Sequence, residues 1–139
     1  MISRAVVEIV TEWDIVAARQ LGRNEAKEIG FGTVDQARIT TAISELSRNI
    51  YMYALAGEIV IERVTEGDRT GIRVIVVDKG QGIGDVRKVT EDGLSTSGIL
   101  GVGLSGVKRL MDNFEIQYDE ERGTIIKVEK WLKDVKNNE

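Results

Sequence analysis

Cysteine, histidine and proline are all absent from the 139 residues. Without cysteine there is no disulfide scaffold, no thiolate zinc site and no thiol nucleophile. Without histidine, Ser-His-Asp hydrolysis, imidazole-bound metals and a self-phosphorylating histidine are excluded. Without proline, chain punctuation falls to glycine, helped by Asp, Asn, Ser and Thr. Aromatics make up only 5%, and the charge leans acidic, with a net −4 and a pI near 5.0. That balance argues against a nucleic-acid partner, since no local basic patch offsets it. No apolar run approaches the ~18 residues of a membrane span, and the first residues lack the layout of a signal peptide. What is present is 42% hydrophobic and 30% charged residues at the length of one domain. The expectation is a cytoplasmic protein without a membrane partner. Residues 1–139 should form one domain whose end, residues 133–139, frays.

Residues 4–10 (RAVVEIV) are short and β-branched, as in a first strand. Asp14 then serves as a candidate N-cap for a helix carrying Ile15, Ala18, Gly22, Ala26 and Ile29 on one face, with Gly30 as its stop. Thr33 and Gln36 fit a capping box that opens a second helix, with Ile39, Ala42, Ile43, Leu46, Ile50 and Tyr53 as its apolar stripe. Residues 58–65 and 71–78 are β-rich runs around a turn at Glu66-Gly67-Asp68. Residues 104–111 read as a short amphipathic helix, and two strands follow, around Phe114, Ile116 and Tyr118 and over residues 124–131. This order predicts an α/β (α+β) two-layer sandwich: one mixed, mainly antiparallel sheet with helices on one face.

Three places offer chemistry. On the second helix Ala42, Glu45, Asn49 and Met52 flank the apolar stripe, so this edge should be at least half buried. A carboxylate one turn from an amide there suits a general base beside a magnesium ligand, although a solvated Glu and Asn on a long helix is the commoner meaning of such a pair. Asp78 closes an apolar strand and is followed by Lys79-Gly80-Gln81-Gly82-Ile83-Gly84. A carboxylate fixed at a strand end can read an exocyclic amine such as adenine N6, and glycines after it let a flat ring approach; a plain strand-to-loop turn fits equally. Eight of the fifteen glycines lie between Gly80 and Gly106. The run around Gly101, Val102, Gly103 and Leu104 leads into a helix, where free N–H groups suit phosphate. It matches G-x-G-x-x-G only formally, because no strand precedes it, and no P-loop motif occurs. Residues 85–97 are polar enough to be a lid. Arg87, Lys88, Lys108 and Arg109 read more simply as surface charge, Arg48 has a better claim on phosphate, and Thr124 after Gly123 could add a hydroxyl near adenine.

In chain order these are Glu-x-x-x-Asn on a helix, Asp-x-Gly-x-Gly after a strand, a pliable loop, Gly-x-Gly at a helix start and Gly-Thr. That set resembles the GHKL ATPase superfamily of gyrase, histidine kinases and MutL, and within it the short anti-sigma-type serine/threonine kinases that act as switches. TEWDIVAARQLGRNEAKEIGFGTVDQARITTAISELSRNIYMYA, DKGQGI and EDGLSTSGILGVGLSGVKRLMD carry the likeness, which covers nearly the whole chain. It implies a Bergerat ATP-binding fold and an ATP- and Mg2+-dependent serine/threonine kinase acting on STAS-domain proteins of a stressosome-type pathway. It also implies that the freed kinase binds and activates a PP2C-type phosphatase or another output protein. An anti-sigma kinase that sequesters a sigma factor, and a nucleotide-gated binding module, stay open beside it. Carried over by position, Glu45 is the catalytic base, Asn49 the Mg2+ ligand and Asp78 the adenine-reading carboxylate. Gly80, Gly82 and Ile83 shape the adenine pocket, Gly101, Val102, Gly103 and Leu104 hold phosphate, and Thr124 and Arg48 complete the nucleotide site. Gln81 stands where relatives often have proline.

Overall fold

The computed structural model describes residues 4–53, 57–78, 99–119 and 123–132. Among them the order is β1 (Arg4–Glu8), α1 (Glu12–Ile29), α2 (Thr33–Tyr53), β2 (Gly57–Glu66), β3 (Arg69–Asp78), α3 (Ile99–Leu110), β4 (Asn113–Asp119) and β5 (Gly123–Trp131). The strands form one α+β sheet in the order β1-β2-β3-β5-β4. Every neighbouring pair is antiparallel, which corrects the expected mixed sheet. The reason is topological: β4 runs parallel to β3, but the returning hairpin inserts β5 between them, so no parallel ladder forms among the described residues. The β2–β3 hairpin turns through Gly67 and Asp68, with Gly67 at φ 61° and Glu66 paired to Arg69.

Strand alternation decides which face the helices cover. Ile72, Val74, Val76 and Asp78 on β3, and Thr124, Ile126, Val128 and Lys130 on β5, are buried at every second position. Ile39, Ala42, Ile43, Leu46 and Ile50 of α2 and Ala18 and Ala26 of α1 meet them in one core, as their spacing predicts. Each fully buried Ile or Leu contributes ~1.5–3 kcal/mol. The other face carries a row of alternating charge across four strands, Arg4–Glu62 at 3.5 Å, Glu62–Arg73 at 3.5 Å and Arg73–Glu129 at 2.7 Å. These are direct cross-strand partners, so the row favours the observed register. Burial pulls the Arg73 pKa down, but the hydrogen bond and charge of Glu129, with those of Glu62, outweigh it and raise the pKa above its ordinary value.

Helix ends differ from the expected ones in three places. Thr11, in extended conformation, is the N-cap of α1, and Asp14 is its third helical residue. The Asp14 carboxylate accepts the Thr11 N–H at 2.8 Å and the Val10 N–H at 2.9 Å, and these bonds hold its pKa below the usual value. At α2 the Gly32 carbonyl accepts the Gln36 N–H at 2.8 Å, which puts Thr33 inside the helix, while Gln36 Nε2 donates to the Phe31 carbonyl at 2.8 Å. Finally, α3 starts at Ile99 rather than at Leu104. Leu100, Leu104, Val107 and Met111 repeat at helical spacing through the glycines, and that continuity overrides a cost of ~1 kcal/mol per glycine. The end of α1 is as expected: Gly30, at φ 117°, donates to the Ala26 and Lys27 carbonyls.

One buried cation ties the layers together away from the start of β5. Lys130 Nζ donates to the Leu110 carbonyl at the end of α3 at 3.0 Å, and lies 3.7 Å from Asp112 and 3.8 Å from Asp35 in the first turn of α2. Among the described residues no helix is long and apolar enough to cross a membrane. The expected fraying of residues 133–139 lies outside the described residues.

Candidate active site

The second half of α2 places Glu45 and Asn49 one turn apart at the margin of the core. Asn49 is 7% exposed, and the Glu45 side chain 33%. Met52, expected to share that burial, is 56% exposed. Seven residues fall ~20° short of two full turns, so Met52 is turned further from the core than Glu45, while Asn49 between them is turned toward it. Arg48 is exposed and its Nη1 lies 3.4 Å from Glu45 Oε1, so it engages the carboxylate. Asn49 Nδ2 is buried with no hydrogen-bond partner among the described residues. A buried amide left this way costs ~1–3 kcal/mol unless a water, an ion or a ligand satisfies it, and the neighbouring Ser47 Oγ is in the same state.

The strand ends meet beneath this part of α2. Gly57, Asp78, Thr124 and Tyr118 are successive cross-strand partners in one row over β2, β3, β5 and β4. Asp78 is 1% and Thr124 2% exposed, on the face the helices cover. Their Cβ atoms should therefore lie ~4.5–5.5 Å apart, close enough to contact one small ring together. Asp78 already has a partner within the protein, and a carboxylate has lone pairs for a further donor. Gly57 connects the row to the helix: a Cβ there would meet Ile50 Cγ2 at 2.7 Å and the Val77 carbonyl at 3.0 Å. Ile50, next to Asn49, thus sits directly over the start of the row.

Gly57 is the site-shaping residue that sequence reasoning missed, since a glycine before a β-run signals only a break between elements. Gly57→Ala is expected to lower stability by ~1–3 kcal/mol through overpacking against Ile50. Chemical denaturation measures this, and a loss below ~0.5 kcal/mol would mean that α2 does not sit so tightly on β2.

The remaining candidates divide between described and undescribed positions. Gly80, Gly82, Ile83, Gln81, Arg87, Lys88 and the lid of residues 85–97 lie outside the described residues. Gly101, Val102 and Gly103 are in the first turns of α3, which packs on α2. In a helix starting at Ile99 the free N–H groups belong to the first turn, and those of Gly103 and Leu104 enter the helical ladder. Leu104 is fully buried, so its side chain serves the core. Lys108 and Arg109 are exposed. A cavity of about 640 Å³ by β1, lined by residues such as Arg4, Leu21, Glu25 and Ile61, contains none of the candidates.

Among the described residues no cluster of three acidic or histidine side chains could hold a metal by itself. The Asn49 carboxamide oxygen is nevertheless a hard ligand of the kind that suits Mg2+ beside phosphates, and its unpartnered nitrogen is a donor that a phosphate oxygen would satisfy. A buried carboxylate and hydroxyl at strand ends, with a helix-borne acid and amide on the helix that packs at the start of their row, are the chemical groups that nucleotide-dependent phosphotransfer asks for.

Comparison with known proteins gives the family. Residues 10–130 match the family described as Histidine kinase-like ATPase domain, and the chain belongs to that family. It is 62% identical over 133 residues to Serine/threonine-protein kinase RsbT of Bacillus subtilis (strain 168), covering 96% of this chain and 100% of that one. More distant are the Anti-sigma F factor of Heyndrickxia coagulans, 29% identical over 99 residues with 66% and 67% covered, and that of Thermoanaerobacter sp. (strain X514), 28% identical over 102 residues with 69% and 70% covered. The chain is an ATP-using serine/threonine-protein kinase of the partner-switching kind.

Proposed function

We propose that this kinase phosphorylates serine or threonine on STAS-domain proteins of a stressosome-type pathway, and that the freed kinase then binds and activates a PP2C-type phosphatase or another output protein. The chain works as one cytoplasmic domain. The observation that supports the site assignment is the buried, unpartnered Asn49 Nδ2 one turn from Glu45, beside Ile50, which packs on Gly57 at the start of the row that runs to Asp78 and Thr124. Asp78 accepts from adenine N6 with Thr124 beside it. Gly80, Gly82 and Ile83 shape the base pocket, while the first-turn amides of Gly101 and Val102 attend the phosphates and Arg48 stays with Glu45. Asn49 would hold Mg2+, which when bound offsets phosphate charge.

The chemistry asks little more of the protein than positioning. The acceptor hydroxyl oxygen forms a bond to the γ-phosphorus as the bond from phosphorus to the β,γ-bridging oxygen breaks. ADP leaves with that electron pair, and the Glu45 carboxylate takes the hydroxyl proton.

Incubation with labelled ATP, Mg2+ and purified STAS-domain proteins tests the substrate class. Label on a serine or threonine of at least one of them is expected; label on none, with other proteins labelled, overturns it. The similarity to anti-sigma F factors favours a second reading, capture of a sigma factor. A nucleotide-dependent sigma complex in a pull-down, without phosphate transfer to STAS proteins, would establish that one instead.

A further inference from the structure

Transfer to a protein requires the acceptor chain to lie across the base, which makes the outer side of α2 a contact surface. Val34, Arg38, Thr41, Glu45, Arg48 and Met52 follow one another in alternating steps of four and three residues, which on a helix draws a single stripe. Val34 is 62% and Met52 56% exposed, although Ile39, Ile43, Leu46 and Ile50 of the same helix are buried. Scattered exposed apolar side chains are ordinary, but these two bracket Glu45 along its own stripe, at ~16 Å and ~10 Å by helical rise. Between them stand the Arg38 and Arg48 side chains, 50% and 54% exposed. Each guanidinium uses one nitrogen on its own helix, toward Asp35 at 3.0 Å and Glu45 at 3.4 Å, and the rest have no partner among the described residues. Exposed pairs of this spacing contribute little, so an incoming carboxylate can displace them. Alongside runs a groove of about 400 Å³ between α2 and α3, lined by Thr33, Val34, Ala37, Arg38, Thr41 and Leu110.

We propose that this stripe and groove dock the protein substrate through an acidic segment. Its carboxylates engage Arg38 and Arg48, its apolar side chains cover Val34 and Met52, and the acceptor hydroxyl falls between them opposite Glu45. A carboxylate on Arg48 also draws that guanidinium off Glu45 Oε1, leaving the oxygen open to the hydroxyl proton. The inference rests on Glu45 being the base.

The test measures steady-state phosphorylation of a purified STAS-domain protein by wild type, Val34→Asp, Met52→Asp, Arg38→Ser and Glu45→Gln, with ATP affinity measured in parallel as proof of folding. The docking variants are expected to raise KM for the protein about tenfold or more, with ATP affinity unchanged. Added salt should raise the wild-type KM and affect Arg38→Ser less. Unchanged KM in all three docking variants, with Glu45→Gln inactive, overturns the docking surface and leaves the catalytic reading standing. Raised KM in those variants with Glu45→Gln fully active shows docking on this face but overturns the placement of the acceptor hydroxyl opposite Glu45, and removes the base. No transfer to the STAS protein by wild type overturns both.

Discussion

Glu45→Gln is expected to slow phosphate transfer by about a hundred- to ten-thousand-fold while ATP still binds. The substitution keeps the shape and hydrogen-bonding reach of the side chain and removes only its capacity to take a proton. Its cost to the fold is small, because the side chain is 33% exposed and its ion pair with Arg48 is a surface pair. The loss should therefore appear in kcat, with little change in KM for ATP. Rapid-quench measurement of a single turnover isolates the chemical step. Transfer within threefold of wild type would remove Glu45 from the mechanism.

Asp78→Asn has the second large effect, and it acts on the choice of purine. A carboxylate accepts from adenine N6 and repels guanine O6, whereas an amide can donate to that oxygen. At a position 1% exposed, exchanging one hydrogen bond to a charged group is worth ~1.5–3 kcal/mol, or about ten- to a hundredfold in affinity. ATP should bind that much more weakly, and discrimination against GTP should fall by at least the same factor. Competition titrations with the two nucleotides read this directly. An unchanged preference for ATP would show that adenine lies elsewhere.

Much of this site is legible in the order of residues because each part obeys a local rule. Helical spacing alone places Glu45 and Asn49 on one edge, and alternation alone buries Asp78 and Thr124 on the same face. What spacing cannot supply is the contact that brings those parts together. The pairing of Asp78 with Thr124 depends on β5 inserting between β3 and β4, a choice made by tertiary packing. The seating of α2 over that pair depends on Ile50 filling the space left by Gly57, two residues with no sequence pattern in common. The misplaced start of α3 has a local cause: glycines read as loop, but the apolar repeat running through them carries the helix.

The account stands on the end of α2 and the ends of β3 and β5 forming one nucleotide pocket. Amide chemical-shift mapping of isotope-labelled protein titrated with ATP and Mg2+ tests this most directly. The account predicts the largest shifts at Glu45, Asn49, Gly57, Asp78 and Thr124, with Arg4, Leu21 and Glu25 of the β1 cavity unmoved. Large shifts around that cavity, with Asp78 and Thr124 silent, would contradict it.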